Sequence, residues 1–257
     1  MELDTIMIIF ALVFGLILGS FLNVCIYRIP LKKSIINPPS SCPHCQENIR
    51  FYDNVPVISY IWLLGKCRYC RHPIPFHYPI VELISGLISV ALFLQFGIGY
   101  QYFLFLSLAS SLVIISFIDL HYKIIPDVIS LPGIFAGLAI SFFLDHISWV
   151  DSLIGIIAGG GSLFLVAIVF EKLTGREGMG GGDVKLLALI GAWMGWRALP
   201  FIILISSLTG TVIGGGSLLL ARQGLRARIP FGPFLALGAL IYLFFGQRLI
   251  SWYLKIF

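Results

Sequence analysis

Two groups of residues in this chain have the types and spacing to do chemistry. One is Cys42-Pro43-His44-Cys45 and Cys67-Arg68-Tyr69-Cys70, two C-x2-C turns with 21 residues between them. Each turn can aim two thiolates at one point, and two turns complete a tetrahedral metal site. Four sulfurs leave no open coordination position, so the expected role is structural zinc and not catalysis. The alternative is two redox-active or unbound dithiols. His44 and His72 lie nearby as substitute ligands, though four cysteines suffice. Cys25 sits in an apolar run and reads as a small buried residue.

The second group is acidic. Asp119 ends the apolar run 112–118, and Asp183 begins the run 184–189. Gly178-Met179-Gly180-Gly181-Gly182 stands immediately before Asp183. Two carboxylates brought together can share one proton, because like charges resist double ionisation. The ionised member then draws a proton from water, and the protonated member donates to a carbonyl oxygen. That is the acid/base pair needed to hydrolyse a peptide without a covalent intermediate. The alternative is helix capping, or pairing with Lys123 or Lys185.

What must position these groups is membrane helix. The chain has 257 residues, 58% hydrophobic and only 11% charged, against about 25% charged in soluble domains. Eight apolar spans are predicted near 6–27, 80–98, 102–121, 128–145, 151–172, 184–196, 200–221 and 231–247, all helical because open sheet edges cannot sit in lipid. The predicted fold is therefore an all-α polytopic membrane protein. The sixth span is short enough to be tilted, re-entrant or set in a thinned bilayer. The acidic start, Met1-Glu2-Leu3-Asp4, argues against a cleaved signal peptide. A net charge of +5 says little about nucleic acid, and none is expected as a partner. With the N-terminus outside, the inside segments hold 14 of the 17 Lys and Arg, which predicts that both termini are external. Residues 28–79 then form a cytoplasmic zinc-bearing domain between a first span, 1–27, and a membrane core, 80–257. Asp119 and Asp183 fall at similar depth at the inner face.

Other features have plainer readings. Gly15/Gly19, Gly133/Gly137, Gly155/Gly159, Gly191/Gly195 and Gly210/Gly214 form G-x-x-x-G pairs and predict close helix packing. Asp127, after Ile125-Pro126, reads as a cap on the fourth span; the alternative is indirect support of the aspartate site. The glycines before Asp183 either make a flexible turn or offer bare backbone to an extended substrate. They are not a nucleotide loop, since neither Gly-Lys-Ser/Thr nor a complete G-x-G-x-x-G is present.

The chain resembles bacterial type IV prepilin peptidases, membrane aspartic proteases of the G-x-G-D class. Gly19-Ser20-Phe21-Leu22-Asn23-Val24, the paired C-x2-C turns, Asp53 to Tyr60, Tyr78 to Leu83, Asp119 to Asp127, Gly178 to Leu186 and Ile229 to Phe234 carry the resemblance, which covers almost the whole chain. It implies that Asp119 and Asp183 are the catalytic pair and that Cys42, Cys45, Cys67 and Cys70 hold zinc. It also implies cleavage of short basic leaders from prepilins or pseudopilins at the cytoplasmic face of the inner membrane. Methylation of the new N-terminus from S-adenosylmethionine is implied with it. Glu82, about one turn inside the membrane, is a candidate to meet the donor's sulfonium; the alternative is a structural pair with a loop Arg or Lys. Two rival readings are a peptidase without methylation and a non-catalytic assembly scaffold. The sequence leaves the oligomeric state open.

Overall fold

Apolar runs of this length have to satisfy their own backbone hydrogen bonds, and the chain does so as helix. The computed structural model describes residues 2–143, 147–175, 180–216 and 230–256. Gly178, Met179 and Ile229 lie outside the described residues, as do the charged residues Asp145, Arg176, Glu177, Arg222, Arg226 and Arg228. The helices are α1 (Glu2–Arg28), α2 (Ile58–Trp62), α3 (His77–Phe96), α4 (Tyr100–Tyr122), α5 (Asp127–Ile140), α6 (Trp149–Thr174), α7 (Gly181–Met194), α8 (Leu199–Thr209) and α9 (Gly232–Ile256). A π-helical turn, Gly210–Gly215, extends α8. Among the described residues the extended pairings are two isolated bridges, Ser41 with Asn48 and Lys66 with Pro73.

The fold is all-α and polytopic. Leu3–Arg28, His77–Phe96, Tyr100–Tyr122, Trp149–Thr174 and Trp196–Gly215 are each long and apolar enough to cross a membrane. Asp127–Ile140 and Gly232–Gly246 are apolar but shorter. Local chemistry sets the ends. A capping box of Ser148 and Asp151 starts α6, and left-handed Gly175 stops it. Gly97, at φ 66°, ends α3.

The chain divides into Met1–Ile114 and Ile115–Phe257, with the division inside α4. In the first unit α1 packs along α3. A Cβ on Gly15 would meet Ser85, Gly86 and Ser89, and one on Gly19 would fall 2.6 Å from the Cα of Glu82. Ser89 Oγ lies 2.7 Å from the Tyr102 hydroxyl and also donates to the Ala11 carbonyl.

In the second unit α7 is the core. Its nine residues Leu186–Met194 are all buried. That accounts for the short sixth span: protein covers it, so it need not match the bilayer thickness. Helix α6 approaches through Gly155 and Gly159, where backbone of Gly191 and Leu187 fills the space a Cβ would take. Helix α5 approaches through Gly133 and Gly137, against Leu189 and Trp193, and the Trp193 indole N–H donates to the Gly133 carbonyl at 2.8 Å. These G-x-x-x-G pairs are packing surfaces, as the sequence predicts.

Candidate active site

Asp119 lies in the last turn of α4, and its residue surface is only 5% exposed. The carboxylate is aimed at the start of α9, where the Gly232 N–H donates to Oδ2 at 2.9 Å. A Cβ on residue 232 would come within 2.8 Å of that oxygen, so only glycine allows the amide so close. The α9 N-terminus also presents the positive end of a helix dipole to the carboxylate.

After α4 the chain reverses through Lys123, at φ 56°, whose N–H bonds the Asp119 carbonyl at 2.9 Å. The reversal lays Ile125 over Gly182, where a Cβ would stand 2.9 Å from the Ile125 Cβ. Asp183 follows in the first turn of α7, half-buried and at the favourable end of that helix dipole. Asp119 and Asp183 line one cleft of about 460 Å3, together with the 123–127 turn, Gly180, Gly182 and Lys185. Each carboxyl lies within electrostatic reach of the other.

The glycines divide by role. Gly182 is small because Ile125 packs on it. Gly180 is extended, with φ −74° and ψ 141°. A Cβ on Gly181 would meet nothing within 4 Å. Neither position uses the left-handed conformation glycine permits, so a sharp turn is not the reason for glycine there. Both face open space with bare backbone.

Asp127 differs from the sequence expectation. It begins α5 without a side-chain capping bond and instead accepts from Lys185 Nζ at 2.6 Å. Lys185 is thereby engaged two residues beyond Asp183. The pair closes the cleft rim between the starts of α5 and α7. Gly232 was visible only as part of a Phe-Gly-Pro run. No spacing rule connects its amide to an aspartate 113 positions earlier.

In the first unit the four cysteine sulfurs lie within 4.8 Å of one another. Cys42 and Cys70 are 3.8 Å apart, and Cys45 and Cys67 are 4.0 Å apart. Zinc–sulfur bonds of about 2.3 Å at tetrahedral angles put sulfurs about 3.8 Å apart, so the cluster fits that ion. The two turns are built alike. Gln46 N–H bonds the Cys42 carbonyl and Arg71 N–H bonds the Cys67 carbonyl, each donor in the left-handed region. Backbone N–H groups of Cys70 and Tyr69 draw Cys67 down to about 7. Although the Glu47 N–H favours its thiolate, burial and bonds to the other three cysteines push Cys45 up to about 11. A negative charge is thus easy to place on Cys67, while Cys45 resists ionisation until a cation arrives. His44 and His72 stack on each other at 4.4 Å and stay out of the sulfur group. Cys25 is buried, as expected. Arg68 grips Asp53 with two bonds of 2.8 and 2.6 Å, which holds that carboxyl below its usual range.

Glu82 is buried in α3. It accepts from the Val57 N–H at 2.7 Å and from the Ser20 side chain. Its described loop contact is therefore a backbone amide, where the structural alternative had supposed an Arg or Lys.

Residues 13–96 match the Bacterial Peptidase A24 N-terminal domain, and residues 106–215 match the Type IV leader peptidase family. The prepilin leader peptidase/N-methyltransferase of Aeromonas hydrophila is 40% identical over 268 residues, covering 95% of this chain and 92% of that protein. Proteins of the same name from Stutzerimonas stutzeri and Burkholderia pseudomallei (strain 1026b) are each 38% identical, covering 95% and 92% of this chain and 93% and 85% of theirs. No solved structure matches. Relatives this similar over nearly their whole length place the chain plainly: it belongs to the type IV leader peptidase family.

Proposed function

We propose that this protein removes the basic leader of type IV prepilins or related pseudopilins and methylates the N-terminus so formed. The observation that carries the peptidase reading is the shared cleft of Asp119 and Asp183 at the ends of two apolar helices. Asp119 is steadied by Gly232; Asp183 has no hydrogen-bond partner on its carboxylate among the described residues. In the proposed reaction one carboxylate takes a proton from water as the oxygen attacks the scissile carbonyl. The other gives its proton to the carbonyl oxygen, and the amine leaves after protonation. Gly180 leaves backbone open along the cleft for an extended peptide. Both aspartates belong, in this reading, to the cytoplasmic side of a bacterial inner membrane, where the basic loops point.

Cys42, Cys45, Cys67 and Cys70 are the proposed zinc ligands, and the ion's contribution is to fold the loop 28–79. S-adenosylmethionine, when bound, supplies a methyl group to the new amine. Glu82 is the proposed carboxylate beside its sulfonium.

The test is co-expression with a prepilin and N-terminal mass analysis of the product. Asp119→Asn and Asp183→Asn should each abolish cleavage while the protein still inserts and binds zinc. Retained cleavage in both would favour the scaffold reading. A trimmed but unmethylated product, with donor present, would favour a peptidase alone.

A further inference from the structure

The first unit exposes an apolar face beside the cysteine cluster. Ile58, Ile61, Trp62 and Leu64 are 63%, 66%, 79% and 81% exposed, and Phe76 is 67% exposed. A soluble loop does not normally leave so much contiguous apolar surface in water. What covers it follows from one hydrogen bond. Val57, the residue before α2, donates its N–H to Glu82 Oε2 at 2.7 Å. Val57 also holds φ 61° and ψ −48°, a strained conformation for a β-branched residue.

Glu82 is the sixth residue of α3, a helix apolar and long enough to span the bilayer. It lies ~8 Å along the axis from His77. Side chains on a helix lean toward its N-terminus, so the carboxylate reaches back toward the first turn. The start of α2 is thereby tied to the depth where α3 enters the membrane. Tyr60 on α2 also meets the ring of Phe76 at 6.2 Å, just before α3. At that depth the neighbouring medium is headgroup and upper acyl chain.

We propose that α2 and Leu64 form an interfacial foot, with Ile58, Ile61, Trp62 and Leu64 embedded in the lipid leaflet and held there by the Val57–Glu82 bond. Tryptophan is the side chain most at home at that boundary. Exposed Lys66 and Arg71 follow the apolar face and suit an anionic leaflet. The foot thus sets the height of the cysteine cluster, whose first residue of the second turn is Cys67, three positions beyond Leu64.

The experiment reads Trp62, one of five tryptophans, as the difference between wild type and Trp62→Phe. Full-length protein is reconstituted in phosphatidylethanolamine/phosphatidylglycerol vesicles containing brominated phosphatidylcholine. Bromine near the headgroup should quench the Trp62 emission more than bromine at the chain ends, for an indole ~5–10 Å into the boundary, and aqueous iodide should leave it unchanged. Quenching by iodide and not by lipid would overturn the proposal, as would iodide quenching relieved only by added prepilin. Glu82→Ala should weaken the lipid quenching and open Trp62 to iodide. Unchanged lipid quenching in that variant would overturn the tie as its cause.

Discussion

The Gly232 N–H and the Asp119 carboxylate meet at 2.9 Å, joining the last turn of α4 to the first of α9. The bond needs a residue without a Cβ. Gly232→Ala would place a methyl against Oδ2 and displace the carboxylate. Leader cleavage should fall about a hundredfold in kcat, the scale of a misplaced catalytic group. KM and the unfolding midpoint should hold. Steady-state kinetics on a prepilin peptide check this, with Gly216→Ala, which meets no neighbour within 4 Å, as the silent control.

Lys185 and Asp127 are both partly exposed, at 39% and 58% of their side chains. Their attraction is screened and should be worth under about 1 kcal/mol. Asp127→Ala and Lys185→Ala should therefore lower the unfolding midpoint slightly and non-additively. The reversed pair, Asp127→Lys with Lys185→Asp, should restore it. If Asp127 acted as a cap, its loss would be independent of residue 185. A thermal double-mutant cycle separates the two.

Gly155 and Gly191 press backbone on backbone between α6 and α7. Gly191→Ala should destabilise by about 1–3 kcal/mol, as overpacking does. Gly161→Ala, on the same helix as Gly155 but facing open space, should be neutral or stabilise by up to about 1 kcal/mol. Unfolding in mixed detergent micelles measures both.

Zinc capture requires thiolates, so protons compete with it. Cys67 sits at about 7 and Cys45 at about 11. Retention of zinc against a chelator should therefore rise with pH through roughly pH 6–8. Binding to metal-free protein near pH 7.5 should release more than one proton per ion, since Cys45 is still protonated there and Cys67 only partly ionised. A pH indicator titration counts them. Cys67→Ser should abolish tight retention.

Much of this was legible in the sequence because the signals were physical constraints on short stretches. Two C-x2-C turns can hardly converge on anything but one site. Glycines four apart in apolar runs announce close helices, and Gly15/Gly19 and Gly155/Gly159 behave that way. Asp119 and Asp183 stood out because charge at a membrane mouth is costly. The rest depended on contacts without sequence spacing. Asp127 has the signature of a cap, yet a lysine 58 residues later takes it. The Gly232 amide and the Val57 amide each act through backbone, which no side-chain pattern reports. The short sixth span was ambiguous until its neighbours showed that protein surrounds it.

One wall of the aspartate cleft is main chain at Gly180 and Gly182, with no side chain to alter. Evolution cannot retune that wall by exchanging residues without first filling it. Any drift in client preference must then be written on the opposite wall, in the turn from Lys123 to Asp127, while the glycine side reads only whether a peptide lies extended.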